Sequence, residues 1–127
     1  MQVEVVAPER VVFSGEATMV ITRTLDGGDI AFLPGHARFL GALVENHTRV
    51  HLVDGTVEDI AVHGGFVEVS EDRVSILSDL AELASEIDAD RARRKLEQAE
   101  ARQAHEHDAG VAASIRRQHA RLSAIGA

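Results

Sequence analysis

The sequence predicts a β plus α fold, in which a flattened β-sandwich or barrel is followed by a two-helix hairpin. In the first part of the chain, β-branched residues alternate with polar ones, and Gly-rich turns recur at short intervals. From about residue 80 the composition shifts to Ala, Glu, Arg and Gln, which favour helices. We therefore expect a β-domain over residues 1–84 and a helical domain over residues 85–127.

The β-domain is predicted from a series of short apolar segments. In order, these segments are residues 3–6, 11–13, 17–24, 30–33, 49–53, 57–63, 66–69 and 74–77. The signal for a hairpin is strongest at Asp54-Gly55, and we also expect Ser14-Gly15 and Gly64-Gly65 to end strands. So many short strands with regular turns are typical of a sandwich or flattened barrel.

The helical domain is predicted from caps and from apolar stripes. Ser85 and Asp88 form a capping-box pattern, and Asp88 is itself a suitable N-cap. We expect the first helix to end before the polar residues 106–108 and Gly110, and a second helix to follow. The seam between the helices is rich in Ala, whose small side chain buries little apolar area. Since burial stabilises by only about 25 cal/mol per Å², such a seam contributes little free energy. We therefore expect the hairpin to be marginal alone and to need the β-domain, a ligand or a partner.

The charge is divided unevenly between the two parts of the chain. Residues 1–86 contain 5 basic and 15 acidic residues, a balance of −10, whereas residues 87–127 contain 8 and 6, a balance of +2. The acidic bulk argues against nucleic-acid binding. Neither a membrane-spanning run of roughly 20 apolar residues nor a signal-peptide pattern is present. We expect an intracellular chain that contacts a membrane only indirectly.

The patterns that would indicate catalysis are incomplete. His63-Gly64-Gly65 superficially matches an esterase oxyanion segment, but the sequence has no G-x-S-x-G, and it has no G-K-[ST] of a phosphate loop. His47 and His51 would lie roughly 13 Å apart on a strand, too far to share a metal ion. We therefore expect no catalytic residues and no metal site.

Basic residues of both predicted helices are a candidate anion site. Arg91, Arg94 and Lys95 lie near one face of the first helix, and the second carries Arg116, Arg117 and Arg121. If the hairpin closes, these side chains converge on a phosphate or a carboxylate. The alternative that remains open is a solvated polar face.

Motifs along the whole chain resemble one family. They are PER with FSGEA at 8–10 and 13–17, GDIAFLPGH at 28–36, AVHGGFVEV at 61–69, VSIL at 74–77, AE at 81–82 and IDADRA at 87–92. In this order and spacing the chain resembles the epsilon subunit of the F-type ATP synthase. The resemblance implies a β-barrel of about ten strands followed by two helices.

The resemblance also implies a function. The chain would be a non-catalytic central-stalk (rotor) subunit that couples proton flow to ATP synthesis. Its β-domain would bind the gamma subunit and the c-ring. Its hairpin would fold down on the β-domain or extend toward the catalytic alpha/beta head, and the extended form would inhibit ATP hydrolysis. The implied location is peripheral, on the cytoplasmic face of the plasma membrane.

Contact residues follow from the same resemblance. His36 matches a position against gamma, and Asp29 replaces a more usual Glu in a loop facing the c-ring, while Arg38 stands where Pro is frequent. Inhibitory contacts with the catalytic subunits fall to four arginines of the helical domain: Arg102, Arg116, Arg117 and Arg121.

A regulatory ATP site is implied as well, although no cofactor is required. Some members of the family bind ATP through [IL]-D-x-x-R-A, and the matching residues, with the acidic position before the motif and two arginines of the second helix, are Ile87, Asp88, Arg91, Ala92, Glu82, Arg117 and Arg121. Gln98 stands where a further Arg is expected. The alternatives are a free-standing ATP-sensing binding module and a β-domain protein with an unrelated partner.

Overall fold

The computed structural model describes residues 1–105 and 108–126. Within them a β-domain precedes a 3₁₀-helix at Ala84–Glu86 and two α-helices, α1 (Ala89–Gln103) and α2 (Ala109–Ala124). The strands of the β-domain are β1 (Gln2–Ala7), β2 (Arg10–Thr24), β3 (Gly28–Phe32), β4 (Phe39–Leu52), β5 (Val57–Ser70), β6 (Arg73–Leu77) and β7 (Ala81–Leu83). The predicted order of a β-sandwich and then two helices is confirmed.

Five strands close into a ring in the order β1-β6-β5-β4-β2, because β1 also pairs with β2. The β1–β6 pair is parallel, and the remaining pairs are antiparallel. β3 adds to the second half of β2, and β7 adds to the first half of β5. The closure leaves few free strand edges, since each long strand has neighbours on both sides over part of its length.

The described chain has seven strands, fewer than the ten that the resemblance implies, because three strands are long. β2 has 15 residues, and β4 and β5 have 14 each. The predicted breaks at Ser14-Gly15 and Gly64-Gly65 are wrong, since β2 and β5 continue through them. Residues 81–83, where the composition has already shifted toward helix-forming residues, form β7 because they pair with residues 60–62 of β5.

The glycine pair in β5 bends the strand instead of ending it. Gly65 has a φ of +103°, and a Cβ atom at this position would overlap the carbonyl oxygen of Leu77. Only glycine fits both requirements. The bend lets residues 60–62 pair with β7 and residues 66–70 pair with β6. A local sequence signal for a turn thus marks a change of neighbour within one strand.

The core of the β-domain is aliphatic with one aromatic ring. Side chains with no exposed surface come from every strand of the ring, and Phe32 of β3 joins them. They are Val3, Val5, Val20, Val50, Ile60, Val62, Val67, Val74 and Ile76. Each contributes about 1.5–3 kcal/mol by leaving water, so this core dominates the stability of the chain.

Both helices begin at a capping aspartate. Asp88 accepts a hydrogen bond from the backbone N–H of Arg91 at 3.0 Å, as predicted, and Asp108 accepts one from Gly110 at 2.6 Å. Gly110 therefore lies in the first turn of α2 and does not separate the helices. The predicted break also included residues 106 and 107, which lie outside the described residues.

The hairpin is folded against the β-domain. α2 packs against β4 and β5, and α1 packs against α2. The sheet face beneath α2 is polar. His47 of β4, for example, hydrogen-bonds Ser123 of α2 at 3.1 Å and Asp59 of β5 at 2.6 Å. In the part of the chain that the structure describes, no helix is long and apolar enough to cross a membrane.

Candidate functional site

A cleft of about 180 Å³ lies where the start of α1 meets α2 and β7. We call it the hairpin cleft, and its lining is Glu82, Glu86, Ile87, Asp88, Arg91, Ala92, Lys95, Gln118 and Arg121. Six of the seven residues predicted for ATP binding are in this lining. Arg117, the seventh, is absent from it. The structure therefore brings together residues that are up to 39 positions apart in the sequence.

Glu82 is the polar centre of the hairpin cleft. Its Oε1 accepts hydrogen bonds from Arg121 Nε at 2.7 Å and from His63 Nε2 at 2.9 Å. The bond from His63 is the largest cause, and with the bond from Arg121 it outweighs burial and lowers the pKa of Glu82 to about 2. Glu82 is thus a carboxylate that ties β7 to both β5 and α2.

His63 lies between two carboxylates and is 3% exposed. Its second ring nitrogen, Nδ1, is 2.5 Å from Glu45 Oε2 on β4. Burial favours the neutral ring, but the bonds to Glu45 and Glu82 outweigh it and raise the pKa of His63 above its usual value. Both ring nitrogens face carboxylate oxygens, an arrangement that favours the imidazolium, since this form can donate on both sides.

A second cleft, of about 330 Å³, continues along the seam between the helices. We call it the distal cleft, and its lining is Lys95, Gln98, Ala99, Arg102, Val111, Ser114, Arg117, Gln118 and Arg121. It shares Lys95, Gln118 and Arg121 with the hairpin cleft. Arg117 is therefore next to the other predicted ATP-binding residues, on a cationic extension of the same seam.

Some residues of these clefts are missed by the sequence analysis. Gln118 is 2% exposed, and its Oε1 has no hydrogen-bond partner in the described part of the chain. The sequence gives no sign that Gln118 faces inward, since its neighbours Arg117 and His119 are polar too. His63 and Glu45 are direct partners across β4 and β5, so only the strand register reveals that pair.

Arg10 and Glu86 fix the segment that enters the hairpin. The two terminal nitrogens of Arg10 donate to the two carboxylate oxygens of Glu86, each at 2.9 Å. Glu86 Oε1 also accepts from the backbone N–H of Leu83 at 2.9 Å. The hydrogen bond from Arg10 is the main reason why the pKa of Glu86 is lowered. This pair links β2 to the 3₁₀-helix beside the hairpin cleft.

The residues predicted to contact gamma and the c-ring lie apart. His36 is exposed in the loop after β3, and its ring packs edge-on against Phe32 with centroids 4.9 Å apart. Asp29 is near the beginning of β3 and pairs with Arg23 at 2.8 Å. The two residues thus stand toward opposite ends of β3.

The four predicted inhibitory arginines are distributed over both helices. Arg102 is exposed in the last turn of α1 and Arg116 is exposed on α2, whereas Arg117 and Arg121 are half-buried in the clefts. Among the described residues, no group of three or more His, Cys, Asp or Glu is placed to hold a metal ion.

An apolar patch lies on the outer surface of the β-domain. Phe66 and Leu77 are directly opposite each other on β5 and β6, and each is about half exposed. With Val6, Ala7 and Pro8 they line a shallow cleft of about 400 Å³. Exposed apolar surface of this kind is typical of a protein interface.

The β-sandwich of this chain matches a known domain of ATP synthase subunits. The family model described as "ATP synthase, Delta/Epsilon chain, beta-sandwich domain" matches residues 1–84. Relatives that span the whole chain narrow the class. The ATP synthase epsilon chain of Streptomyces avermitilis is 44% identical over 127 residues, which are 100% of this chain and 96% of that relative. The epsilon chain of Thermobifida fusca is 45% identical, covering 98% and 91%. The chain belongs to the ATP synthase epsilon chain family.

Two solved structures share the fold. A chain of the Euglena gracilis mitochondrial ATP synthase, in a structure of OSCP, F1 and the c-ring, matches with a TM-score of 0.71 and 21% identity, over 94% of this chain and 73% of that one. A chain from the central stalk and c-ring of the Tetrahymena thermophila mitochondrial enzyme matches with a TM-score of 0.58 and 17% identity, over 96% and 92%. As an epsilon chain, the protein is a non-catalytic subunit of ATP synthase.

Proposed function

We propose that this chain is the rotor subunit that joins the central stalk of a proton-translocating ATP synthase to its membrane ring, and that its hairpin restrains ATP hydrolysis. Residues 1–84 bind the gamma subunit and the c-ring, and residues 85–127 regulate ATP hydrolysis. The observation that carries the proposal is the polar face that the sheet presents to α2. An interface held by hydrogen bonds between polar groups separates at a smaller cost than an apolar core, because water replaces those hydrogen bonds when the surfaces part.

The docking residues of the β-domain are His36, Asp29 and the apolar patch around Phe66 and Leu77. The patch supplies apolar area, and the two polar residues supply orientation. A Phe66→Glu variant is expected to lose co-purification with gamma. The same change at Val53, which is 65% exposed in the turn after β4, is the matched control. Equal retention of gamma by both variants would contradict this assignment.

In the extended form, Arg102, Arg116, Arg117 and Arg121 meet acidic segments of the alpha/beta head. Arg121 must first leave Glu82, so the folded form withholds at least one inhibitory arginine. Deletion of residues 87–127 is expected to keep gamma binding and to raise ATP hydrolysis by the assembled complex. An Arg93→Ala variant, altered on an exposed side chain of α1, controls for nonspecific effects. Unchanged hydrolysis after the deletion would reject the inhibitory role.

The hairpin cleft and the distal cleft together form a site for regulatory ATP. The carboxylates of Glu82 and Asp88 suit the hydroxyl and amino groups of a nucleoside, whereas Lys95, Arg117 and Arg121 suit its phosphates. A nucleotide held there contacts α1, α2 and the β-domain at once. Its binding therefore stabilises the folded hairpin by mass action.

An NMR titration of the full chain with ATP and Mg²⁺ tests this site. We expect saturable shifts for amides at 82–95 and 117–121. Arg117→Gln should weaken binding, and Arg93→Gln, which makes the same change of charge outside both clefts, should not. Absence of shifts at millimolar ATP would reject the site.

The same cleft favours a second candidate function, a free-standing ATP-sensing binding module. Gamma co-purification separates the two. A chain that binds ATP without binding gamma is a sensor, and a chain that binds neither is a β-domain protein with an unrelated partner. As an ATP synthase subunit that binds gamma and the c-ring, the chain associates peripherally with the membrane complex. We place it on the cytoplasmic face of the plasma membrane.

A further inference from the structure

A groove of about 570 Å³ lies between β4 and α2. This α2 groove shares no lining residue with the hairpin cleft or the distal cleft. Its sheet wall carries Arg23 and Arg49, and its helix wall carries Arg116 and His119. The positions on α2 are three residues apart, so Arg116 and His119 lie on the same face of the helix.

The charges in the α2 groove are only partly balanced. Arg23 pairs with Asp29 at 2.8 Å, and Glu45 is occupied by His63. Arg49 and Arg116 make no ion pair or hydrogen bond within residues 1–105 and 108–126. Asp29 attracts Arg49 electrostatically without forming an ion pair with it. Folding α2 onto the sheet therefore brings two unpaired guanidinium groups to the walls of one groove.

Like charges that face each other across an interface oppose its formation, and an anion between them reverses the sign of that effect. Guanidinium groups are suited to phosphate because each donates parallel hydrogen bonds to two oxygens. We propose that the α2 groove binds an oxyanion of the phosphate class, which bridges Arg49 and Arg116 and so holds α2 on the sheet. His119 is a further donor at the rim. The groove has room for a free phosphate or for the phosphate of a larger molecule.

The test is an NMR titration of the full chain with inorganic phosphate and, separately, with glycerol 3-phosphate, each against sodium chloride at equal ionic strength. We expect saturable shifts of amides at 44–49 and 116–123. We also expect Arg49→Gln to weaken binding about tenfold, since it removes the charge and the paired donors of one of the two bridging guanidinium groups. Arg93→Gln makes the same change of charge on α1 and should bind as the wild type does. Whichever of the two ligands binds more tightly identifies the source of the phosphate.

The proposal would be overturned by shifts equal to those in sodium chloride, by equal binding by Arg49→Gln and wild type, or by shifts confined to the residues of the hairpin and distal clefts. A titration in which a glutamate-rich peptide shifts these amides and neither phosphate ligand does would also overturn it. The two sites share no residue, so a substitution in one leaves the ligand contacts of the other in place, and they are linked only through the folded state of the hairpin. Loss of ATP binding with retained phosphate shifts would reject only the ATP site.

Discussion

The core of the β-domain and the interface beneath α2 are built by different rules. In the core, side chains such as Ile60 and Ile76 have no exposed surface, and the burial of apolar area stabilises the fold. Beneath α2, the sheet presents charged groups such as Glu45 and His63, which are joined to the helix through Glu82 and Arg121. The difference predicts that the hairpin separates from the sheet at a smaller cost in free energy than the β-domain unfolds.

The energies of the two regions differ in the same sense. Each large apolar side chain in the core contributes about 1.5–3 kcal/mol. A hydrogen bond exchanged with water contributes about 0.5–1.5 kcal/mol net. The buried side chains of α1 are only Ala92 and Ala99, which add little apolar area. About 1.4 kcal/mol changes a population ratio tenfold, so we expect a ligand that favours one position of the hairpin by this amount to change its population measurably.

The largest effect is expected in the core. Ile60→Ala should lower the free energy of unfolding of the whole chain by about 2–5 kcal/mol, because it leaves a cavity in the core of the β-domain. Denaturant unfolding measures this loss.

Leu122→Ala in α2 should instead raise hydrogen exchange of the helices while the β-domain amides stay protected. Equal loss of protection in both regions of the Leu122 variant would show that the hairpin and the β-domain do not differ in stability as proposed.

A smaller effect is expected at the link between the two regions. Glu82→Gln removes the carboxylate that His63 and Arg121 share, and we expect a loss of about 1–3 kcal/mol in hairpin docking. Hydrogen exchange of α2 amides is the measurement. Glu97→Gln, on an exposed part of α1, makes the same chemical change without a comparable loss. Unaltered α2 exchange in the Glu82 variant would show that other contacts hold the hairpin.

The same link predicts a pH dependence. The pKa of His63 is raised above 6.5, so its contribution to stability is complete below pH 6.5 and is lost as the pH rises through the folded-state value. The pKa of Glu82 is lowered from 4.5 to about 2, so its contribution is present above pH 4.5 and is lost as the pH falls toward 2. Thermal unfolding at pH 5.5 and 8.5 should show lower stability at 8.5. If a His63→Gln variant showed the same difference in thermal stability between pH 5.5 and 8.5, His63 would not be the cause of that difference.

The smallest effect is expected at the start of α1. Asp88→Ala removes the N-cap bond to Arg91 and should cost about 1 kcal/mol, confined to α1. The helical signal in circular dichroism and local hydrogen exchange would report it. Asp90→Ala is the control, because its exposed ion pair with Arg93 contributes at most about 0.5 kcal/mol. A loss that spread into the core would mean that hairpin and β-domain are one cooperative unit.

Local patterns identified much of the fold and part of the site. Alternating β-branched residues predict the strands, and Asp88 is correctly identified as an N-cap. Residues 87–92 form one short motif at the start of a helix, so their proximity follows from the sequence. The pairing of Glu45 with His63 does not follow, because they are 18 residues apart and meet only through the strand register.

The sequence by itself determined that a valine-rich β-domain precedes an alanine-rich, basic hairpin, since periodicity and composition are local properties. Only the tertiary structure decided that Gly64-Gly65 bends a strand, that the hairpin is folded onto a polar face, and that Arg121 reaches Glu82. Those features depend on which distant segments become neighbours. That choice is made by the free energy of the whole packed chain, which no single segment encodes.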